Sequence, residues 1–188
     1  MLILASKSPQ RRELLQQIGI FCQVEPSRYV EHNDGKAEPV ELVRSQALGK
    51  AIDVARKFPG RWVLGADTIV VIDNLVLGKP ADENNAVELL RSLSGRQHTV
   101  VTGVALLRGV DFFQEYVSTK VWFRPLSEED IHTYVQSGEP MDKAGAYGIQ
   151  GKGAGLVEKI NGSYTNVVGL PMERVLCMLK KAGVIEHE

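Results

Sequence analysis

At 188 residues, the chain is long enough for one hydrophobic core, or for one core split into two lobes. Its 44% hydrophobic and 24% charged residues are ordinary for a globular protein and exclude intrinsic disorder. A formal net charge of -1 provides no global field for nucleic acid or an acidic membrane, although a local basic pocket is still allowed. The opening MLILASKSPQRRELL has no basic region ahead of a long apolar stretch, so no signal peptide is expected. No apolar run approaches the roughly 20 residues that a bilayer span requires. Cys22 and Cys177 lie far apart without metal-ligand spacing and read as reduced, buried cysteines of a cytoplasmic protein.

LILA, from Leu2 to Ala5, reads as a short strand. Ser8 then offers an N-cap and Pro9 sits at the first helical position, where its missing N–H costs nothing. FCQVE is a second strand. From Pro39, apolar residues at Val43, Ala47, Ala51 and Val54 mark a helix. RWVLGADTIVVI is strongly strand-like and broken by one polar island, Asp67-Thr68; Asp73-Asn74 signals a tight hairpin turn into LVLGKP. The spacing of Ala86, Leu89, Leu90 and Leu93 predicts a helix from about Asp82, stopped by Gly95. Two long strands follow, HTVVTGVALLRG and FFQEYVSTKVWFRP. Ser127 with Asp130 forms a capping-box pattern for a helix to about Gln136, and GLVEKI and a helix from Pro171 to Lys181 close the chain. The order indicates an α/β domain built on a mixed sheet with flanking helices.

Several residues could carry chemistry. In ASKSPQRRELL, a strand turns into a helix at Ser6, Lys7 and Ser8, so orphan N–H groups and the helix dipole suit an anion. Arg11 and Arg12 lie in the first turn, where the dipole disfavours cations; they serve an external anion or are simply solvated. Asp67 interrupts an apolar run, and burying a lone carboxylate costs several kcal/mol unless it is paired or metal-bound. It binds a cation, ends the strand in a cleft, or accepts from backbone amides. Lys79 in the rigid LGKP turn, Lys50 beside Ala47 and Ala51, and Glu31 in RYVEHND are further candidates, with plain surface charge as the alternative for each.

Other chemistries are poorly supported. The histidines at 32, 98, 132 and 187 lack HxxxH or HExxH spacing, which argues against zinc. There is no P-loop and no GxSxG motif; GIQGKGAG is a weak dinucleotide fingerprint, and aromatics are too sparse for an RNA platform. What remains is an inventory for a polyphosphate held with a divalent metal, for which oxygen ligands favour Mg²⁺ or Mn²⁺.

LILASKSPQRRELL, GADTIV, LGKP, EPMDKAGAYGIQG and INGSYTNVVGLP resemble, in order and over most of the chain, the Maf family of nucleotide pyrophosphatases. The resemblance implies one domain over residues 1–188, similar in fold to the inosine-triphosphate pyrophosphatases, with a mixed sheet in two lobes around a cleft. It also implies metal-assisted attack of water on the α-phosphate of a nucleoside triphosphate, releasing pyrophosphate in a house-cleaning role. KAGAYGIQG is similar to the subgroup acting on dTTP and UTP. Carried over by motif, Asp67 is the catalytic base and, with Glu31, a metal ligand. Arg11, Thr68 and Gln150 match positions of substrate choice, and Ser6, Lys50 and Lys79 match other substrate-binding positions. The family arginine falls in SPxR, which selects Arg11 over Arg12.

A Gln150 amide would match the O–N3–H–O edge of uracil or thymine and mismatch cytosine, enough for roughly ten- to hundredfold discrimination. An unperturbed Asp, with a pKa near 3.9, is a poor base for water, so Asp67 is expected to act on a water activated by metal. The family resemblance further implies a homodimer, while the near-neutral charge, the sparse aromatics and the lack of a long apolar run argue against a stable nucleic-acid complex and against membrane association. Its name is associated with septum inhibition, so a non-catalytic regulator of cell division is the alternative from another class. An enzyme preferring ITP is the nearer one.

Overall fold

The computed structural model describes residues 1–33, 35 and 37–186; His187 and Asp34 of the RYVEHND stretch lie outside the described residues. Its elements are β1 (Leu2–Leu4), α1 (Pro9–Gln17), β2 (Cys22–Val24), α2 (Pro39–Ala55), β3 (Val63–Ile72), β4 (Leu75–Leu77), α3 (Glu83–Leu93), β5 (Gln97–Arg108), β6 (Asp111–Phe123), α4 (Glu128–Gln136), β7 (Val157–Asn161), α5 (Tyr164–Val168) and α6 (Met172–Lys181). One seven-stranded sheet runs in the order β2-β1-β3-β5-β6-β7, with β4 paired to β3. β1 is parallel to β2 and β3, whereas β4 and β7 are antiparallel to β3 and β6, so the sheet is mixed as the sequence predicts. Among the described residues, no helix is long and apolar enough to cross a membrane. The chain divides into two compact units, one of residues 1–67, 102–117 and 169 onward, the other of residues 68–101 and 118–168.

In the first unit, Ser8 caps α1 by accepting from the Arg11 N–H at 3.4 Å, with Pro9 in the first turn. Helix α2 packs on the strands through two glycines. A Cβ at Gly65 of β3 would lie 2.3 Å from the Ala47 carbonyl oxygen, and one at Gly103 of β5 would lie 2.4 Å from that of Val43. Any side chain at either position would drive the helix off the sheet. The core here is correspondingly lean, with Ala5, Ala47, Ala51 and Ala105 packed around Ile3 and Val63.

In the second unit, Asp73 and Asn74 have φ of 51° and 63°, the type I′ turn that suits a two-residue hairpin, and β4 returns with Leu75 opposite Ile72. Ser127 and Asp130 form the expected capping box at α4. The core gathers Leu90, Leu93, Phe123, Ile131 and Tyr147. His98 is buried among them, edge-on to Phe123 and Tyr147, with its Nε2 2.7 Å from the Tyr147 hydroxyl. Burial lowers the His98 pKa to about 4, so the ring is neutral near pH 7.

Some expectations change. Asp82 caps α3, which begins at Glu83, and Val87 takes a fully buried place while Leu89 is half-buried. Both cysteines are free, but neither is buried: Cys22 is half-buried on β2, and Cys177 projects from the face of α6 away from Val175, Met178 and Leu179. Short amphipathic elements of this kind leave every second or third position outside. Helix α5 has only five residues, too short to show a period, and was not expected.

Candidate active site

Strand alternation explains the centre of the first unit. Gly65 and Asp67 lie two residues apart on β3, so both face α2. Gly65 lets α2 approach at Ala47, and Lys50, one turn further along, then reaches the carboxylate, with Nζ 2.6 Å from Asp67 Oδ1. Asp67 is 5% exposed, and its second oxygen, Oδ2, is buried without a hydrogen-bond partner among the described residues. Burial is the main cause of a raised Asp67 pKa; the Lys50 ammonium opposes the shift, the Glu31 carboxylate adds to it and Arg11 opposes it.

Glu31 arrives by a separate route. The segment of residues 27–32 lies along one face of α2, formed by positions 46, 49, 50 and 53. Ser27 Oγ and the Arg28 N–H donate to Asp53 Oδ2 at 2.9 and 2.7 Å, holding that carboxyl below its ordinary range. The Tyr29 ring covers Gly49, where a Cβ would sit 2.4 Å from it. Gln46 Nε2 donates to the His32 carbonyl at 3.1 Å. Between these anchors, Glu31 Oε1 lies 2.6 Å from Lys50 Nζ. One ammonium thus meets two carboxylates.

Arg11 and Ser6 complete the group. Arg11 donates through Nε to the Gly169 carbonyl at 2.8 Å, and through one terminal nitrogen to Ala66 O at 2.9 Å and Ser6 Oγ at 3.2 Å. Burial lowers the Arg11 pKa, while the charges of Asp67 and Glu31 act the other way. The helix-start arginine therefore meets backbone carbonyls and nearby carboxylates in its own fold. Gly169, in the INGSYTNVVGLP motif, supplies one of those carbonyls.

Glu31 and Asp67 also fit a hard divalent cation. Each has an oxygen 2.6 Å from the same ammonium, so those two oxygens are no more than twice that distance apart. Mg²⁺ commonly takes one or two carboxylates and fills its shell with water and substrate phosphates. Among the described residues, no group of three or more His, Cys, Asp or Glu side chains could hold a metal by itself.

Three further sequence candidates, Thr68, Lys79 and Gln150, belong to the second unit. Lys79 is exposed in its turn, and the neighbouring Gly78 carbonyl accepts from the Gly145 N–H at 2.9 Å, tying LGKP to the AGAYGIQG segment. Residues 139–156 form three short 3-10 turns around that segment. Gly145, Ala146 and Gly151 have φ of 67°, 59° and 61°, which explains the glycines at the first and last of these. Gln150 is partly exposed, and its side chain makes no hydrogen bond among the described residues.

Residues whose part was not read from the sequence include Gly65, Gln46, Gly49 and Asp53. A lone glycine two positions before a strand carboxylate was the available signal for the first. The α2 set falls on one helical face, but nothing local marks what lies against it.

A family profile described as Maf-like protein matches residues 1–182. A protein of Symbiobacterium thermophilum named dTTP/UTP pyrophosphatase is 54% identical over 97% of this chain and 94% of its own length. One of the same name from Dictyoglomus turgidum is 48% identical over 97% of this chain and 96% of its own. Among solved structures, the Staphylococcus aureus Ham1 protein overlaps with a TM-score of 0.44 at 16% identity, covering 65% of this chain and 71% of that one. The chain belongs to the Maf-like protein family.

Proposed function

We propose that this protein is a nucleoside triphosphate pyrophosphatase, acting on dTTP and UTP in preference to other nucleotides. The observation that carries the reading is the buried Asp67, one oxygen held by Lys50 and the other without a partner among the described residues. The names of relatives at about half identity support the same chemistry. The whole span 1–188 acts as one functional domain in this reading, in the cytoplasm, as a homodimer that binds neither nucleic acid nor membrane.

In the reaction, water attacks the α-phosphorus and the bond from that phosphorus to the α,β-bridging oxygen breaks. The monophosphate and pyrophosphate leave. Asp67 Oδ2 accepts the proton of the attacking water, a task for which its raised pKa suits it better than an ordinary Asp. Lys50 fixes the carboxylate through Oδ1 and holds Glu31 beside it. Arg11, anchored on Ala66 and Gly169, keeps a cation beside these carboxylates, and Ser6 supports it. Glu31 and Asp67 would hold a divalent cation, Mg²⁺ or Mn²⁺, which when bound neutralises phosphate charge and activates water. Lys79 contributes charge to the phosphates, Thr68 takes part in substrate choice, and Gln150 reads the pyrimidine edge. A buried, ion-paired carboxylate with a spare oxygen favours catalysis over the alternative of a non-catalytic regulator.

The test is pyrophosphate release from dTTP, UTP, CTP, ITP and 7-methyl-GTP with Mg²⁺, with Mn²⁺ and with chelator. Metal-dependent release led by dTTP and UTP is expected. A preference for ITP, or silence from the folded protein, would overturn the reading.

A further inference from the structure

The loop that carries Gln150 is gripped from one side by two residues that the proposed chemistry does not use. Tyr134, at the end of α4, is 4% exposed, and its hydroxyl accepts from the Gly148 N–H at 3.1 Å. The same hydroxyl donates to Glu139 Oε1 at 3.0 Å. Glu139 also accepts from the Gly153 N–H through Oε1 at 3.1 Å and from the Lys152 N–H through Oε2 at 3.2 Å. The backbone is therefore held two residues before Gln150 and two and three residues after it.

The fit leaves no slack. A Cβ at Gly153 would lie 2.0 Å from the Gly148 carbonyl and 2.7 Å from the Tyr134 hydroxyl. One at Gly151 would lie 3.0 Å from Glu139 Oε2. Ala146 keeps a left-handed φ of 59° without being a glycine, a conformation that persists only when its surroundings impose it. Tyr147 is fixed in turn by His98. Gln150 sits within this frame, partly exposed, and its amide makes no cap hydrogen bond to the turn that follows it.

We propose that Tyr134 and Glu139 are positioning residues for base selection: together they set the backbone that aims the Gln150 amide. The inference rests on the reading of Gln150 as the base reader. A carboxylate is the group this requires, because it accepts from three donors and donates to none. Glutamine at position 139 would turn an NH₂ toward a backbone N–H and release one side of the loop. Phenylalanine at position 134 would leave the Gly148 N–H without its acceptor while keeping the ring in place. Loosening should relax discrimination, because selection by hydrogen bonds depends on aim more than on contact area.

The experiment measures kcat/KM for UTP and CTP in wild type, Glu139→Gln, Tyr134→Phe, Gln150→Ala and the Glu139→Gln/Gln150→Ala double variant. It is paired with amide exchange at residues 148, 152 and 153. Both clamp variants are expected to lower the UTP-to-CTP ratio about tenfold, chiefly through KM for UTP, and to speed exchange at those amides. The double variant should discriminate no worse than Gln150→Ala alone. An unchanged ratio in Gln150→Ala would remove the base-reading role and this inference with it. A normal Gln150 effect with unchanged ratios in both clamp variants would overturn the clamp alone. So would an equal loss on both nucleotides, which marks a merely structural role. Tyr134→Phe breaks the two hydrogen bonds of one hydroxyl, leaves the Glu139 carboxylate on its backbone donors, and keeps the test available should Glu139→Gln not fold.

Discussion

The Lys50 ammonium and the Asp67 carboxylate meet at 2.6 Å, yet the Asp67 pKa is raised, because burial outweighs the nearby positive charge. The cation orients the carboxylate without making it an ordinary, fully stabilised anion. Such a group keeps its affinity for a proton, and that has consequences for stability as well as turnover.

Asp67→Asn should separate the two. With a folded pKa above the unfolded one, ionised Asp67 costs stability once the pH exceeds the unfolded value near 3.9. The amide removes that cost near neutral pH, so the thermal midpoint should rise while turnover falls by about 10²–10⁴. Calorimetry and pyrophosphate release on one preparation check both; a large loss of stability with activity kept would contradict the assignment.

Lys50→Met removes the closest charge that opposes the rise. The Asp67 pKa should climb further, so the acid limb of the activity profile should move to higher pH. Stability should fall by about 3 kcal/mol, because two carboxylates lose their shared partner. A pH–rate profile whose acid limb stays in place would show that Lys50 does not tune Asp67.

Gly65→Ala should be costly although it adds one methyl group. Its Cβ would meet the Ala47 carbonyl and the Ala51 N–H, backbone atoms that cannot rotate aside. A loss of about 2 kcal/mol or more is expected from overpacking, with activity falling further as α2 carries Lys50 away from Asp67. Urea titration beside kinetics gives both numbers.

His98 predicts an acid weakness. Its folded pKa, about 4, lies below the unfolded value near 6.5, so its contribution to stability is complete above pH 6.5 and is lost as the pH falls toward 4. The loss amounts to roughly 3 kcal/mol. His98→Phe should flatten the dependence of unfolding free energy on pH in this window, at some cost from the abandoned Tyr147 hydroxyl. An unchanged slope would mean that other groups carry it.

Much of this was legible because local rules and tertiary structure agree. Pro9 after Ser8, Asp73-Asn74 and the Ser127/Asp130 pair each carry their turn or cap chemistry in two to four residues. Asp67 stood out because a carboxylate inside an apolar strand demands a partner, but the identity of that partner was not local. Lys50 is 17 residues away, and only the close packing of α2 on Gly65 joins them. The segment bearing Glu31 has no periodicity, since its conformation is written on α2. Likewise the glycines of AGAYGIQG announced an unusual backbone, while its restraint by Tyr134 and Glu139 shows only once the chain is folded. The exposed Cys177 shows the opposite limit: residue type suggested burial, and the face of α6 decided otherwise.

The most direct test of the account is hydrolysis of UTP in ¹⁸O-labelled water, with the label located in the products. Attack at the α-phosphorus predicts one ¹⁸O in the monophosphate, none in the pyrophosphate and no orthophosphate, with the reaction lost in Asp67→Asn. Label in pyrophosphate or release of orthophosphate would place the attack elsewhere and contradict it.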